Sequence, residues 1–580
     1  MPKVVIIGGG VAGMSAAHEL IERGFQVDVY EKHHHYAGGK ARSVNVPNSN
    51  QLHPDKYLPG EHGFRFFPGF YKHVIDTMKR IPFTNANGIK NENGVFDNLV
   101  GVGREEIARF GKKPIITIVN FPKSWSDIKT ALDSMHANTG LTDAEKEFFA
   151  IKIWQLMTSC YERRQNEYER IGWWQFMEAD RFSKAYQSLL VEGLTRTLVA
   201  ANAKFASTKT GGDIFLQLIF NIANPGVSTD RLLNGPTNDV WINPWLNYLL
   251  SKGVKYNLGC TGTEIIMNSG SVSGIKIYNK QINQESIVTG DYYLLATPIE
   301  VAAKLINNDM LAADPTLASI QELAPSVAWM NGLQFYLSED VEFVRGHCIY
   351  SDSEWALTSI SQLPLWNNYD IQNRGNGKVK SILSVDISNW EDTGLNGKKA
   401  SDCTYQEIRD EVWAQLKKSL NNGTEILKDD MIIDWYLDRD IKEGGDGKPD
   451  IDKEPLLVNT INSWDKRPEA YCGIPNLFLA SDYVRTFTDL ATMEGANEAA
   501  RRAVNNIIDA SGSKASLCEI WNLHEPDMLA GLRNHDQSRY NKGMQWQFYE
   551  TPVMKAAGFL IRVLRFFMNL FKRKPKSANG

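Results

Sequence analysis

The chain has 580 residues, enough for two or three domains, and a formal net charge of −5. With this small negative net charge the protein has no overall positive potential, and we therefore expect no nucleic acid partner. The six cysteines are scattered without a C-x-x-C pair, so we expect free thiols and neither a disulfide framework nor a metal site.

The chain begins with the stretch VVIIGGGVAGMSAAHEL, which starts at Val4. The β-branched run predicts a buried parallel strand, and the alanine-rich end predicts a helix. Between them, Gly8, Gly10 and Gly13 match the spacing G-x-G-x-x-G. Gly8 allows a tight turn, Gly10 lets the main chain approach a pyrophosphate, and Gly13 lets helix and strand pack closely. With Ala12 in the turn, this segment is predicted to bind phosphate oxygens at a helix N-terminus.

A second strand, FQVDVYE, follows the predicted helix and ends at Glu31. A carboxylate at this position accepts hydrogen bonds from an adenosine ribose and disfavours a 2′-phosphate, so FAD or NAD fits better than NADP. The alternative is a glycine-rich turn in an α/β protein that binds no nucleotide. The succession of strand, turn, helix and strand favours the dinucleotide site.

The next segment, KHHHYAGGKARSV, carries a glycine pair ending at Gly39, followed by Lys40 and Arg42. It resembles the extension found in FAD-containing oxidoreductases of the amine oxidase and carotenoid desaturase superfamily. In that superfamily a Gly-Gly-basic segment wraps the diphosphate, because small residues permit close approach and a cation neutralises phosphate charge. The resemblance implies that Gly39, Lys40 and Arg42 bind FAD. The superfamily usually has an arginine shortly before the glycine pair, where this chain has Tyr36.

A third segment of the same resemblance is PGEHGFRFFPGFYKHVIDTMKRI. It is similar to the stretch that approaches the isoalloxazine ring in flavin desaturases, which implies that Gly63 and Phe64 contact the flavin. Its ionisable residues Glu61, His62 and Arg65 are the candidate catalytic groups, since a carboxylate or an imidazole can take or give a proton. Alternatively, Glu61 and Arg65 form a structural ion pair.

A hairpin is predicted in the stretch GVKYNLGCTGTEIIMNSGSVSGIKIYN, where a Ser/Gly turn separates two alternating strands. Gly262 in this stretch falls where the superfamily makes a main-chain contact to adenine. The superfamily usually has valine there, but a main-chain contact tolerates the change.

A second glycine-bearing motif lies in the stretch NLFLASDYVRTFTDLATMEGANEAARRAVNNII, which predicts a buried strand and an alanine-rich helix. It resembles the second FAD motif of the superfamily, which implies that Asp482, Met493, Gly495 and Ala496 hold the cofactor. Ser481 stands where the superfamily usually has glycine. An NAD-only enzyme has no need of this distant segment, so the two motifs together predict FAD as the cofactor.

The predicted fold class is α/β, with a discontinuous Rossmann-like FAD-binding domain, an inserted α+β substrate domain and a C-terminal amphipathic helix. The expected bounds are 1–100, 225–300 and 455–510 for the FAD-binding domain, 101–224 and 301–454 for the substrate domain, and 511–580 for a C-terminal extension. The first insert is rich in helical patterns, one of which begins with a capping box of Thr142 and Glu145. The second insert looks mixed.

The C-terminal extension contains TPVMKAAGFLIRVLRFFMNLFKRKPKS, with apolar residues at helical spacing and a basic end. Arg562 and Arg565 interrupt the apolar run, so a helix at 552–574 is expected to lie in the membrane interface without spanning it. The alternative is docking on the body of the protein or on another subunit. Since no signal peptide or spanning run is visible, we expect a cytoplasmic protein, peripheral on the inner face of the cell membrane.

Longer stretches, among them ERRQNEYERIGWWQFMEA and NGPTNDVWINPWLNYL, look like bacterial FAD proteins of the hydroxysqualene dehydroxylase-like or phytoene desaturase-like kind. This resemblance implies hydride transfer between flavin and a long apolar isoprenoid or lipid, by desaturation or by dehydroxylation, with the electron acceptor or donor left open. Two alternatives stand beside it. One is a flavin amine oxidase with a cationic substrate, and the other is a non-catalytic prenyl-lipid binding or escort protein.

Aromatic side chains are abundant, with 15 Trp and 25 Phe. Their faces would stabilise carbocation character in an apolar substrate. The candidates for that role, each with core packing as the alternative, are Phe64, Phe66, Phe67, Trp173, Trp174, Trp329 and Trp355.

Overall fold

The computed structural model describes residues 1–63, 65–85, 87–120, 134, 139–193, 202–224, 226–341, 343–366 and 369–549. Phe64, predicted to contact the flavin, and the predicted membrane-surface helix at 552–574 lie outside these residues. Within them, no helix combines the length and the apolar character needed to cross a membrane.

The described chain contains runs of strands and runs of helices. The strands are β1 (Lys3–Ile7), β2 (Gln26–Glu31), β3 (Ser43–Asn45), β4 (Pro59–Glu61), β5 (Leu99–Val102), β6 (Arg104–Arg109), β7 (Lys112–Ile118), β8 (Asp230–Leu233), β9 (Lys255–Leu258), β10 (Cys260–Asn268), β11 (Ser271–Asn279), β12 (Gln284–Val288), β13 (Tyr292–Leu295), β14 (Val327–Ala328), β15 (Asn331–Leu337), β16 (Cys348–Tyr350), β17 (Leu357–Ser361), β18 (Ser381–Ile387), β19 (Ile432–Leu437), β20 (Ile441–Glu443), β21 (Pro449–Asp452), β22 (Leu456–Leu457) and β23 (Leu477–Leu479). The α-helices are α1 (Val11–Glu22), α2 (His73–Arg80), α3 (Asp143–Thr158), α4 (Tyr161–Asn166), α5 (Trp173–Phe176), α6 (Lys184–Tyr186), α7 (Thr208–Ile222), α8 (Asn243–Ser251), α9 (Ile299–Leu305), α10 (Asn308–Ala313), α11 (Ala318–Leu323), α12 (Tyr405–Leu420), α13 (Ser463–Lys466), α14 (Met493–Ser511) and α15 (Ala530–Tyr540).

A five-stranded parallel sheet underlies the N-terminal motif, with the strand order β23-β13-β1-β2-β9. Its register pairs Val5 with Tyr293 on one side and with Asp28 on the other. Val4, Val5 and Ile6 are completely buried, as expected for a central parallel strand. Each of the three segments expected to form the FAD-binding domain contributes strands to this sheet, and the predicted Rossmann-like α/β class is confirmed.

Helices α1 and α14 pack against each other, and α1 also packs against β1 and β2, whereas α14 packs against β23. Both contain small residues that are completely buried, namely Ala16 of α1 and Ala499 and Ala503 of α14. Asn497 of α14 donates from Nδ2 to the Oγ of Ser15 in α1 at 2.8 Å. Small side chains and this buried hydrogen bond let the two helices approach closely.

The predicted Ser/Gly hairpin is confirmed. β10, β11 and β12 form a three-stranded antiparallel sheet, in which Asn268 pairs with Ser271. The turn residues Ser269 and Gly270 have φ values of 49° and 81°. Positive φ at both central residues is typical of two-residue hairpins, because such turns match the twist of the strands.

A seven-stranded mixed sheet has the order β19-β15-β18-β17-β16-β6-β7. Most of its strands belong to the second predicted insert, but β6 and β7 come from the first. We expected mainly helices in 101–224, so this pair of strands was not predicted. Its signal was an alternating sequence on both sides of a turn at Gly111, whose φ is 60°. The predicted capping box is confirmed, because Thr142 and Glu145 bond reciprocally at the start of α3.

Candidate active site

A cavity of about 350 Å³ lies at the carboxyl ends of the parallel strands β1, β2, β13 and β23. This edge is where open α/β sheets bind their ligands. Most of the predicted cofactor-binding residues line it, namely Gly8, Gly10, Ala12, Glu31, Gly39, Lys40, Gly63, Gly262, Asp482, Met493 and Ala496. The described residues predicted for the cofactor that do not line it are Gly13, Arg42 and Gly495.

The first glycine turn is shaped by close contacts of the main chain. Gly8 has a φ of 103°, and a Cβ there would lie 2.5 Å from the carbonyl oxygen of Ala296. A Cβ on Gly13 would lie 1.9 Å from the carbonyl oxygen of Gly8, so this glycine packs behind the cavity wall. Gly10 faces the second glycine loop, and a Cβ on Gly10 would lie 3.6 Å from the Cα of Gly39. Larger residues would fill the gap between the two loops.

Helix α1 begins at this gap without a side-chain cap. Its first-turn residues Val11 and Ala12 line the cavity. The main-chain N–H groups of an uncapped first turn have no partner within the helix, and they bind anions. The uncapped helix end and the glycine-lined gap therefore fit a diphosphate.

Glu31 ends β2 in the cavity wall and is 4% exposed. Its Oε2 accepts from the main-chain N–H of Gly9 at 2.7 Å, and its Oε1 accepts from that of His33 at 2.8 Å. These bonds fix the carboxylate beside the first turn. Each oxygen keeps further acceptor capacity, which a ribose hydroxyl would use.

Lys40 and Arg42 leave the glycine pair in different directions. Lys40 lines the cavity, and its Nζ donates to the carbonyl oxygen of Pro455. Arg42 lies behind the wall, where Nη1 donates to Glu454 at 2.7 Å and Nη2 pairs with Asp440. Of these two cations, Lys40 is the one that reaches the space where phosphate charge would lie, and Arg42 supports the loop from behind.

The C-terminal motif meets the same cavity from β23. Asp482 follows that strand, and Met493 begins helix α14 at the cavity. Gly495 does not line the cavity, and its N–H donates to Oγ1 of Thr492, the N-cap of α14, at 3.1 Å. Ser481 has a φ of 145°, a conformation that favours glycine. It stands at the position where the resembled superfamily usually has glycine.

Gly262 lies on β10 at the far wall of the cavity. A Cβ there would lie 2.8 Å from Cγ2 of Ile7 at the end of β1. A side chain would therefore push β10 away from the parallel sheet. The glycine keeps the main chain close to the nucleotide end of the cavity, where the resemblance places a contact to adenine.

The predicted catalytic residues separate into lining and supporting groups. His62 and Arg65 line the cavity, whereas Glu61 does not. Glu61 instead accepts from the N–H and the hydroxyl of Thr237, at 2.9 and 2.8 Å. Burial raises the pKa of Glu61 to about 7, against the opposing effects of Arg65 and Thr237.

Arg65 links the segment after β4 to the glycine-pair loop. Its Nη2 donates to the carbonyl oxygen of Lys40 at 2.8 Å, and its Nε donates to that of Ala41 at 3.2 Å. Burial lowers the pKa of Arg65 in spite of the nearby carboxylates Glu61 and Asp386. Among the described residues no ion pair joins Arg65 to Glu61, so the ion-pair interpretation of these two residues is not what the structure shows.

His62 pairs through Nδ1 with the carboxylate of Asp438, and Nδ1 lies 3.9 Å from Oδ2 of Asp440. Burial lowers the pKa of His62, but Asp438 outweighs that effect, and the pKa lies above its ordinary value. The carboxylate of Asp438 therefore stabilises the charged imidazolium relative to the neutral ring. His62 places this ion pair in the wall of the cavity.

Several lining residues carried no motif in the sequence. Ala296, Thr297 and Val301 line the cavity where β13 ends, and Met330 and Asp386 reach it from the start of β15 and from β18. The apolar run YYLLA before Thr297 was a usable signal, because such a run is typical of a buried parallel strand and ligands bind at the carboxyl ends of such strands. Met330 and Asp386 gave no signal, since only tertiary packing brings the mixed sheet to this edge.

The aromatic candidates also divide into residues that line the cavity and residues that do not. Phe66 lines the cavity, which keeps it as a candidate for substrate contact. The other described candidates do not line it, namely Phe67, Trp173 and Trp355, which are buried, and Trp174 and Trp329, which are partly buried. Core packing accounts for these five.

A set of possible metal ligands lies beside the cavity. Atoms of His62, Asp440 and Glu454 that could bind a metal ion are within 4.8 Å of one another. However, Arg42 pairs with both carboxylates. Because its guanidinium already supplies the positive charge that two buried carboxylates need, we assign no metal to this cluster.

Comparison with known proteins adds three kinds of likeness. The family described as an NAD(P)-binding Rossmann-like domain matches residues 6–81. The zeta-carotene desaturase of Zea mays is 35% identical over 108 residues, which are 19% of this chain and 17% of that protein. The zeta-carotene desaturase of Capsicum annuum is 22% identical over 314 residues, which are 52% of this chain and 49% of that protein. The chain thus matches half or less of the length of these curated relatives.

Solved structures of amine oxidases have a similar fold. Cyclohexylamine oxidase from Brevibacterium oxydans IH-35A superimposes with a TM-score of 0.58 at 12% identity, over 88% of this chain and 99% of that one. A putrescine oxidase bound to putrescine gives the same four values. At this identity the likeness concerns the fold alone. Together with the desaturase matches, it confirms the resemblance to the amine oxidase and carotenoid desaturase superfamily.

Proposed function

We propose that this protein is an FAD-dependent oxidoreductase that transfers a hydride between flavin and a long apolar isoprenoid or lipid substrate. The observation that carries the proposal is one cavity that joins two glycine-bearing turns to apolar walls. Those walls include Phe66, Phe70, Tyr71, Ile214 and Leu218. Apolar walls of this kind exclude water and bind an apolar chain through the hydrophobic effect.

FAD would be held by residues that meet at the carboxyl edge of the parallel sheet. Its diphosphate would lie at the start of α1 between Gly10 and Gly39, its ribose at Glu31, and its remaining part near Asp482 and α14. When bound, the flavin supplies the capacity to accept or donate a hydride. The protein contributes orientation and a dry site. Among the described residues His62 Nε2 has no hydrogen-bond partner, so we assign to that atom a hydrogen bond to the bound ligand.

A carotenoid-like substrate is supported by the names of the relatives. They are zeta-carotene desaturases and a 1-hydroxycarotenoid 3,4-desaturase of Flavobacterium sp. (strain P99-3), which is 48% identical over 46 residues, 8% of this chain and 9% of that protein. Desaturation would remove two hydrogens from the substrate and need an electron acceptor. Dehydroxylation would replace a hydroxyl by hydrogen, release water and need an electron donor. We include both desaturation and dehydroxylation in the proposed activity.

Amine oxidation is the second candidate, because the fold is also that of amine oxidases. Enzymes of that kind often place a lysine beside the flavin ring, as the resemblance implies. In the described part of the chain, the lysines that line the cavity are Lys32 and Lys40, next to Glu31 and Gly39 at the nucleotide end. The apolar residues of the walls, among them Phe66, Ile214 and Leu218, favour an isoprenoid substrate. The escort-protein alternative has less support, because both glycine-bearing turns reach the cavity.

An anaerobic mixture of the purified protein with extracted membrane lipids tests the proposal. We expect lipids to bleach the oxidised flavin, or to restore the colour of chemically reduced protein, and mass spectrometry to show the matching change in one lipid class. Bleaching by putrescine or cyclohexylamine, with no response to lipids, would establish the amine oxidase instead. A colourless protein would contradict the FAD assignment.

A matched pair of leucine variants makes this test specific to the cavity. Leu218 lines the cavity, whereas Leu250 is 47% exposed on α8. Leu218→Gln should slow lipid-dependent bleaching about tenfold, since a polar group in the apolar wall costs roughly 1–3 kcal/mol. Leu250→Gln should leave the rate unchanged. Equal rates in both variants would place the substrate elsewhere.

We also propose that the C-terminal segment attaches the protein to the inner face of the cell membrane, where an apolar substrate is available. The support is the basic and apolar pattern of residues 552–574. Deletion of 551–580 should move the protein from the membrane pellet to the supernatant, with flavin content unchanged. Unchanged pelleting would refute the role of the segment.

A further inference from the structure

His62 leaves one buried polar atom without a protein partner at the cavity. The residue lines the cavity, and its Nε2 is buried without a hydrogen-bond partner among the described residues. Buried polar atoms in folded proteins nearly always have such a partner. A ligand in the cavity would complete the contacts of this atom.

The main chain of His62 is fixed by strand β15. Its carbonyl oxygen accepts from the N–H of Gly332 at 2.7 Å. A Cβ on Gly332 would lie 2.7 Å from that same oxygen, so glycine is required for the approach. One residue earlier, the N–H of Glu61 donates to Oε1 of Gln334 at 3.0 Å. The segment that carries His62 therefore has little freedom to move relative to β15.

Asp438 fixes the imidazole from the neighbouring strand. It directly follows β19, which pairs with β15, and its N–H donates to the carbonyl oxygen of Gly332 at 3.1 Å. Its carboxylate pairs with Nδ1 of His62 and accepts from Nδ2 of Asn331 at 3.3 Å. Both the main chain and the ring of His62 are thus held by the same two strands. Because Nδ1 is occupied, Nε2 is the ring nitrogen left for a ligand.

We propose that Asp438 is a positioning residue that holds His62 as a fixed cation and N–H donor toward the flavin. The inference rests on the proposed function, since it takes the cavity to be the FAD site. A cation beside the flavin favours reduction, because it stabilises the negative charge that reduction adds. Asp438 would therefore help to set the reduction potential without touching the cofactor itself.

The charged groups around His62 make Asp438 its direct partner. The carboxylates facing it are those of Asp438, Asp440, Asp452 and Glu454, and the nearby cations are Arg42 and Arg65. Arg42 pairs with Asp440 and Glu454, which leaves Asp438 for the imidazole. Burial lowers the pKa of His62, and Asp438 raises it above its ordinary value. Burial raises the pKa of Asp438, and His62 brings it below its ordinary value.

The test compares the flavin reduction potential of the purified holoprotein in the wild type, Asp438→Asn and His62→Gln. We expect a more negative potential at neutral pH in both variants, because both remove the cation. The flavin reduction potential of the double variant should be no more negative than that of His62→Gln, since Asp438 acts through the imidazole. The pH dependence separates the two single variants. As the pH falls and His62 is protonated in Asp438→Asn as well, the potential of that variant should rise to the wild-type value or above it, because the variant also lacks the carboxylate charge. The potential of His62→Gln should stay below the wild-type value.

A second buried His–Asp pair provides the matched control. His347 Nδ1 lies 2.6 Å from Oδ2 of Asp230, and neither residue lines the cavity. Asp230→Asn should therefore leave the potential unchanged. The inference is overturned if Asp438→Asn shifts the potential no more than Asp230→Asn does. If Asp438→Asn does not fold, an unchanged potential in His62→Gln overturns the inference equally.

Failure of this inference differs from failure of the proposed function. A wild-type protein that binds no flavin would overturn both. A wild type that binds FAD and is bleached by lipids, with potentials equal in all variants, would overturn only the role of Asp438.

Discussion

The two ends of the cavity are built in different ways. At the nucleotide end, the shape comes from the main chain, with Gly8, Gly10 and Gly39 leaving a gap in which even a Cβ meets backbone atoms. At the end near Gly63, the site is shaped by charged side chains held from the mixed sheet, as in the pair of His62 with Asp438. The nucleotide end therefore tolerates almost no substitution, because added atoms would clash. The properties of the end near Gly63 can be altered by changing one charge.

This difference also separates what each end contributes. The nucleotide end offers N–H groups and close approach, which hold an anion but change little when the pH changes. The other end contains Glu61 and His62, whose pKa values are shifted by burial and by neighbouring charges. We therefore expect substitutions at the nucleotide end to act on cofactor retention and folding, and those near Gly63 to act on pH dependence and on the flavin.

The largest effect is expected for Gly13→Ala. The added Cβ would lie 1.9 Å from the carbonyl oxygen of Gly8, and neither α1 nor β1 can shift without breaking the core. We expect loss of bound flavin and a fall of about 3 kcal/mol or more in the free energy of unfolding, measured by absorbance and by chemical denaturation.

Gly445→Ala is the matched control for this change, because Gly445 has no atom within 4 Å of an added Cβ. It should retain flavin and wild-type stability. Retention of flavin by Gly13→Ala would contradict the steric account of the nucleotide end.

A smaller effect, and one that depends on pH, is expected for Glu61→Gln. Burial raises the pKa of Glu61 to about 7 from an ordinary 4.5, so its carboxyl contributes stability at low pH that is lost as the pH rises through this range. In Glu61→Gln this loss is absent. Between a pH below 4.5 and a pH above 7, the unfolding free energy of the variant should rise relative to that of the wild type by about 3 kcal/mol. Parallel stability curves for the two proteins would show that Glu61 does not titrate in this way.

The nucleotide end could be predicted from the sequence because its residues are local. Gly8, Gly10 and Glu31 lie within two adjacent strands and one helix, and the spacing itself encodes the turn. The second motif was predicted from resemblance, and Asp482 and Met493 do reach the same cavity. Residues in one unit of strand, turn and helix are positioned by local geometry, so a pattern is enough to find them.

The end near Gly63 could be predicted only in part. The sequence indicated His62 and Arg65, but not Asp438 or Asp386, which approach from β19 and β18. The hydrogen bond from Glu61 to Gln334 spans 273 residues, so no spacing rule connects these segments. Glu61 looked equivalent to His62 in the sequence, yet successive residues near a strand end point to opposite sides, and only His62 faces the cavity. Tertiary packing of the mixed sheet decides this part of the site.

The smallest effect tests whether charge also matters at the nucleotide end. Glu31→Gln keeps an oxygen acceptor but removes the charge and one of the two contacts to the N–H groups of Gly9 and His33. Charge-assisted hydrogen bonds are roughly twice as strong as neutral ones, so we expect FAD to bind about tenfold more weakly on reconstitution of the apoprotein. Asp28→Asn on the same strand is the control, because Asp28 pairs with Lys3 and does not line the cavity. A loss of a hundredfold or more in Glu31→Gln would mean that the nucleotide end, too, depends on charge as much as on shape.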